Sequence, residues 1–282
     1  MSYNDFEISN QDGRPITLYL LEWGRTRWRY TSADRPIQIY EMVDGVRTLV
    51  TYEPKAIRDN GMRQGVSSQN DFQIDGPSDL DIVRLFRGSP PSETIWVTVR
   101  RKHLEDDSTP IYWTGTVWNL TRPSPAKCQL ICKSLMGSLK RTGLRLCWTR
   151  ECPHFIYDSG CKVDPENFKV TSKAISFSGS TLVVKPDVMQ DDGWFNGGIA
   201  AWSASVDGTV ERRFVESAVT AGANLTLSIF GLVDFLKVGD TVSLYPGCSR
   251  IPEVCDGKFD NLDNYGGFDK MPGDTPFNTA IW

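Results

Sequence analysis

Residues 168–186, FKVTSKAISFSGSTLVVKP, decide the fold of this chain. The stretch is rich in β-branched residues and is broken at Ser178-Gly179, so it reads as strand, turn and strand. The same grammar continues downstream in GWFNGGIAAWSAS (193–205), ERRFVESAVTAGANLTLSIFG (211–231) and VGDTVSLYPGC (238–248). Further turn signals stand at Asp207-Gly208 and Gly239-Asp240. Together these segments predict a β-barrel or sandwich of about 80 residues.

Upstream, most of the first 120 or so residues also read as strands. TLYLLEWG, WRYTS, IQIYEMV, RTLVTYEP, DFQID, TIWVTVRRKH and IYWTGTVWNL are short and separated by Gly, Pro, Asp and Asn. Alternation puts Ile95, Val97 and Val99 on one strand face and Trp96, Thr98 and Arg100 on the other. A similar split sets Ile111, Trp113 and Val117 against Thr114 and Thr116. SDLDIVRLFRG (78–88) predicts a short helix with Ser78 as N-cap and Gly88 as terminator. In AKCQLICKS a period-two pattern turns Cys128, Leu130 and Cys132 inward, the thiols acting as small buried hydrophobes. The expected fold class is therefore mainly β. Two barrel- or sandwich-like domains are expected, residues 1–150 and 151–282, with short helices and an irregular tail from about 256.

At 282 residues the chain has room for two such domains. With 40% hydrophobic and 23% charged residues it has the profile of a folded protein. A net charge of −4 gives no reason to expect nucleic-acid recognition. No apolar run approaches a transmembrane length, and the N-terminus lacks a basic start with an apolar core, so a reducing cytosol is the expected folding compartment. Nine tryptophans suit cores and subunit interfaces.

Four of the seven cysteines form two pairs at the ends of the second β region. Cys152 and Cys161 frame CPHFIYDSGC; Cys248 and Cys255 frame CSRIPEVC. Four thiolates from two turn-rich loops can hold a metal centre. Disulfides fit poorly with a reducing compartment and an odd cysteine count. Structural zinc favours tight C-x₂₋₄-C knuckles, whereas both spacings here are wide and lean toward a [4Fe–4S] cluster, zinc being the alternative. Backbone N–H groups of Gly160 or Gly247 are candidates to serve the cluster sulfides, and Phe155 or Tyr157 to shield them. His154 reads as a loop-packing histidine and Cys147 as a bystander. With only two histidines, and neither a Walker A loop nor a Rossmann fingerprint, no catalytic constellation stands out and no enzymatic activity is expected.

The order CPHFIYDSGCKVD, a β domain ending GDTVSLYPGC, then CDGKFDNLDNYGGFDKMPG resembles the tail-tip and baseplate hub proteins of long non-contractile-tailed phages and gene transfer agents. The resemblance runs from about Cys147 to the C-terminus. It implies that Cys152, Cys161, Cys248 and Cys255 ligate a [4Fe–4S] cluster. It also implies a homotrimeric hub at the virion tail tip, assembled in the bacterial host cytoplasm. The implied partners are a distal tail protein ring and a central tip or receptor-binding fibre protein. The competing readings are a cytosolic iron–sulfur redox protein and a Cys₄-zinc interaction module.

Overall fold

The computed structural model describes residues 8, 15–61, 72–103, 106–134, 147–204 and 208–271. Asp207 of the expected turn, the segment after Ser134 up to residue 146 and the tail beyond 271 lie outside the described residues. The chain divides into two compact units, Met1–Arg141 with Ser205–Val210, and Thr142–Ala204 with Glu211–Trp282.

The first unit is built on one nine-stranded sheet. Its strands are β1 (Pro15–Trp23), β2 (Thr26–Thr31), β3 (Ile37–Val43), β4 (Val46–Pro54), β5 (Arg58–Asp59), β6 (Phe72–Pro77), β7 (Ile95–His103), β8 (Ile111–Ser124) and β9 (Lys127–Ser134). They lie in the order β3-β4-β2-β1-β7-β8-β9-β6-β5. β1 pairs antiparallel with β7 from Pro15↔His103 to Trp23↔Ile95. Leu18, Tyr19, Leu20 and Leu21 are all buried, so this central strand is covered on both faces. Ile95, Val97 and Val99 are buried while Trp96 is exposed, as the alternation predicts. Cys128, Leu130 and Cys132 are likewise buried.

Two local expectations fail. Ile111 is exposed although Trp113, two residues on, is buried. Register shifts where β8 pairs with β7 and β9 break the strict period there, because an extra residue flips the following side chains to the other face. The 78–88 segment forms a 3₁₀ helix over only Asp81–Phe86, preceded by Leu80 with no side-chain cap. Ser78 Oγ instead donates to Pro125 O at 2.6 Å, and the helix ends at Arg87, before Gly88.

The second unit contains a closed six-stranded barrel. Its strands are β10 (Val170–Ser178), β11 (Thr181–Pro186), β12 (Ile199–Ser203), β13 (Val210–Ala221), β14 (Asn224–Ile229) and β15 (Thr241–Tyr245). They close in the order β10-β11-β14-β13-β12-β15. Leu182, Val184, Leu225, Leu227, Val242 and Leu244 alternate into one core with Phe195 and Trp202. Trp202 Nε1 donates to Asp234 O at 2.9 Å, so its polar end is satisfied inside. A short helix, α1 (Pro252–Phe259), and a 3₁₀ turn, Leu262–Asn264, follow β15. Among the described residues no helix is long and apolar enough to cross a membrane.

The start of the expected irregular tail is thus helical, and Cys255 stands on α1 rather than in a loop. Pro252 sets the first turn of this helix, and a left-handed Asp260 closes it with its N–H on Asp256 O and Cys255 O.

Candidate metal centre

All four candidate thiols lie in the second unit, and Cys152 and Cys161 lie close enough to bear on Cys248 and Cys255. The Cys255 thiol is pushed up to about 11 by burial and then by Cys248, Cys161 and Cys152. Cys248 is raised by burial, with Cys161 and Cys152 adding to it and the Arg250 N–H opposing. Tyr157 is raised by burial and then by Cys161 and Cys248. The two pairs, far apart in sequence, therefore share one neighbourhood.

Backbone geometry joins them. Cys152 N–H donates to Arg250 O at 3.0 Å, while Arg250 N–H donates to Cys248 Sγ at 3.4 Å. Tyr157 Oη donates to Pro246 O at 2.7 Å, and its ring meets Tyr245 edge-on. Asn261 Nδ2 donates to Cys161 O at 2.7 Å and reaches Cys161 Sγ at 3.8 Å. Gly266 N–H donates to Cys152 Sγ at 3.4 Å. Cys255 Sγ, the most buried of the four, donates to Asn261 O at 3.2 Å.

Six described non-glycine residues adopt positive φ, and four of them, Tyr157, Lys162, Arg250 and Asp260, lie in or beside these cysteine segments. Backbone strain of this kind persists only where its surroundings hold it. Here the holds are visible. Asp158 accepts N–H groups from Phe155, Gly160 and Cys161 at 2.9, 2.9 and 2.7 Å. Burial alone would raise its carboxyl, but those three donors outweigh burial and hold it below the usual range.

The structure brings Cys152, Cys161, Cys248 and Cys255 into one region of the second unit, with N–H donors on their sulfurs other than those expected from the sequence. Gly160 N–H is taken by Asp158, and the sulfurs receive N–H groups from Arg250 and Gly266 instead. Phe155 is exposed, with the Arg250 guanidinium over its ring. Cys147 is exposed. His154 packs in the loop as expected, its ring so close to Gly160 and Gly266 that a Cβ on either would collide with it. The residues missed were Asn261, Gly266 and Lys258. Lys258 Nζ donates to Trp194 O and Gly247 O at 2.6 and 2.8 Å and lies over the Trp194 ring.

Among the described residues no three His, Cys, Asp or Glu side chains converge as the ligands of a metal ion. A tetrahedral zinc at about 2.3 Å from each thiolate needs its sulfurs within about 4 Å of one another. A cubane cluster carries its ligands on separate corners and accepts a wider set. By ligand type the donor set, four thiols with N–H groups aimed at three of them, suits such a cluster.

Comparison with known proteins adds two likenesses. The family described as "Phage conserved hypothetical protein BR0599" matches residues 193–275, a stretch that includes Cys248 and Cys255 but begins after Cys152 and Cys161. No curated protein matches the chain. A chain in the solved structure "Virion of native gene transfer agent (GTA) particle" superposes with a TM-score of 0.74 at 17% identity. The superposition covers 99% of this chain and 95% of that one, so both units of the present chain share its fold.

Proposed function

We propose that this chain is a non-enzymatic structural protein of a phage-type virion, positioned at the tail tip as a baseplate hub. As a homotrimer it joins the distal tail ring on the tube side to the central tip or receptor-binding fibre protein. The observation that carries this reading is the near-complete coverage of a gene transfer agent virion chain by the fold. The phage family match over residues 193–275 supports it independently.

In this reading Cys152, Cys161, Cys248 and Cys255 hold a [4Fe–4S] cluster as a structural clip. The cluster supplies four iron–thiolate bonds joining the entry of the barrel to its exit. The chain supplies the N–H groups of Arg250 and Gly266 and the Asn261 amide on the sulfurs. Closing a loop as long as that between Cys161 and Cys248 is worth on the order of 4 kcal/mol by the entropy estimate developed for disulfides.

Anaerobic purification followed by iron, sulfide and zinc assays and a visible spectrum tests the cofactor. Iron and sulfide in equal amounts, with a brown chromophore lost in Cys161→Ser, is the expected result. Zinc in place of iron would favour the interaction-module reading, and reversible bleaching with turnover would favour a redox protein. The virion role is tested separately by deleting the gene from the phage or prophage that encodes it. Tailless or tip-less particles are expected, and intact infectious virions would sink the role.

A further inference from the structure

We propose that Cys147 and Cys152 form a peroxide-responsive thiol pair, which closes to a disulfide in the metal-free chain. A cavity of about 540 Å³ is lined by Cys147, Thr149, Arg150, Glu151, Cys152, Pro153 and Arg250. Two of the seven thiols therefore line one open surface groove. Cys147 is exposed, Cys152 is half-buried, and both are free. The other thiols do not line this cavity; Cys128 and Cys132 are sealed in the first unit's sheet and Cys255 is buried on α1.

Only four residues separate the two cysteines, so bringing the thiols together closes a very short loop. Thr149 Oγ1 donates to Glu151 O at 2.7 Å and already bends that segment. The chemistry balances with one peroxide per bridge. The exposed Cys147 sulfur attacks a peroxide oxygen and the O–O bond breaks, giving a sulfenic acid and one water. Cys152 sulfur then attacks the Cys147 sulfur, its S–H proton leaves with the hydroxyl as a second water, and the S–S bond forms. The two thiols lose two electrons and the peroxide gains them.

The consequence rests on the cluster reading. A bridged Cys152 has no thiolate to give, so oxidation before cluster insertion blocks the site until a thiol reductant reopens it. The bridge itself does not depend on that reading.

The full chain, stripped of metal by a chelator, is treated with hydrogen peroxide, alkylated, cleaved with trypsin and mapped by mass spectrometry. Trypsin cuts after Arg150, between the two cysteines, so a bridge appears as two linked peptides that separate on reduction; because the second peptide, 151–162, also carries Cys161, fragmentation of the linked pair assigns the bridged sulfur. Linked Cys147 and Cys152 peptides are expected, and in Cys147→Ser the Cys152 thiol should carry the alkyl group or a sulfenic-acid tag. Quantitative alkylation of Cys147, or bridging of Cys152 to Cys161, Cys248 or Cys255 instead, would overturn the pair. Iron-loaded chain should resist bridging. Equal bridging with and without iron would uphold the pair and remove Cys152 from the ligand set.

Discussion

Arg250 serves both cysteine pairs with one peptide unit on each side. Its left-handed φ turns its N–H onto Cys248 Sγ while its carbonyl receives the Cys152 N–H. Asp158 plays a comparable part within the first pair. Asp158→Ala leaves three N–H groups without their acceptor, and a loss of about 1–3 kcal/mol is expected in urea unfolding at neutral pH. Because its carboxyl is held low in the fold, its contribution is present above the ordinary carboxylate range. It should fade as the pH falls through the depressed value. Lys258 makes the opposite kind of prediction. Burial lowers it from 10.5 to about 8, with Cys248 pulling weakly the other way. Between those values the unfolded chain binds more protons, so this group's contribution to stability rises with pH across the window. Cys255, raised from 9 to about 11, works against it above pH 9. Comparing the metal-free chain with Lys258→Met cancels the cysteine effect. The variant's relative stability should be greatest near pH 7 and shrink toward pH 10; a pH-independent difference would refute the assignment. Thiols are visible in a sequence because few other side chains bind soft metals. The partners on their sulfurs are mostly backbone N–H groups, which every residue carries, so Arg250 and Gly266 left no signal. Asn261 is a side-chain partner, but it sits among asparagines and aspartates that read as ordinary turns.

At the scale of elements, the barrel was the most legible part of the chain. Its strands alternate, its turns carry glycine where the backbone needs positive φ, as at Gly179 and Gly239, and its core follows from the period of two. The helix that carries Cys255 was not legible. Pro252–Phe259 contains Asp256 and Gly257, weak helix formers, and lacks an apolar stripe. It forms because Pro252 starts it, Asp260 ends it, and Lys258 pins it to the Trp194 and Gly247 carbonyls. The same tertiary override made the 78–88 helix shorter than its sequence suggests. At Gly247 two stretches of backbone meet closely. A Cβ there would run into the backbone at Asn196, Gly197 and Gly198, so the β15 exit and the turn before β12 touch chain to chain. Gly247→Ala should therefore cost about 1–3 kcal/mol by overpacking and displace Cys248. The expected readout is a lower urea midpoint together with lower iron content, and full iron loading of the variant would contradict this account.

For the molecule as a whole, the division into two units makes the clip's effect separable. The core around Leu182, Trp202 and Leu227 lies entirely in the second unit. That around Leu18, Ile39 and Tyr52 lies in the first. The first unit also buries Glu41, which pairs with Arg29 at 3.1 Å and accepts the Tyr52 hydroxyl. Units with their own cores tend to unfold as their own transitions. Every candidate ligand belongs to the second unit, so under the proposed cluster reading chelation is expected to lower the transition of that unit. If the clip is worth on the order of 4 kcal/mol, a unit of this size should lose about 15 °C in its midpoint on chelation. Glu41→Ala removes one partner from a buried ion pair and should lower the other transition by a cost of about 3–5 kcal/mol. Differential scanning calorimetry of the full chain with and without chelator, in both backgrounds, reads the two shifts independently. A chelator-induced drop that follows the Glu41→Ala transition would place the metal in the wrong unit. No drop in either transition would mean that the four thiols do not hold the barrel shut.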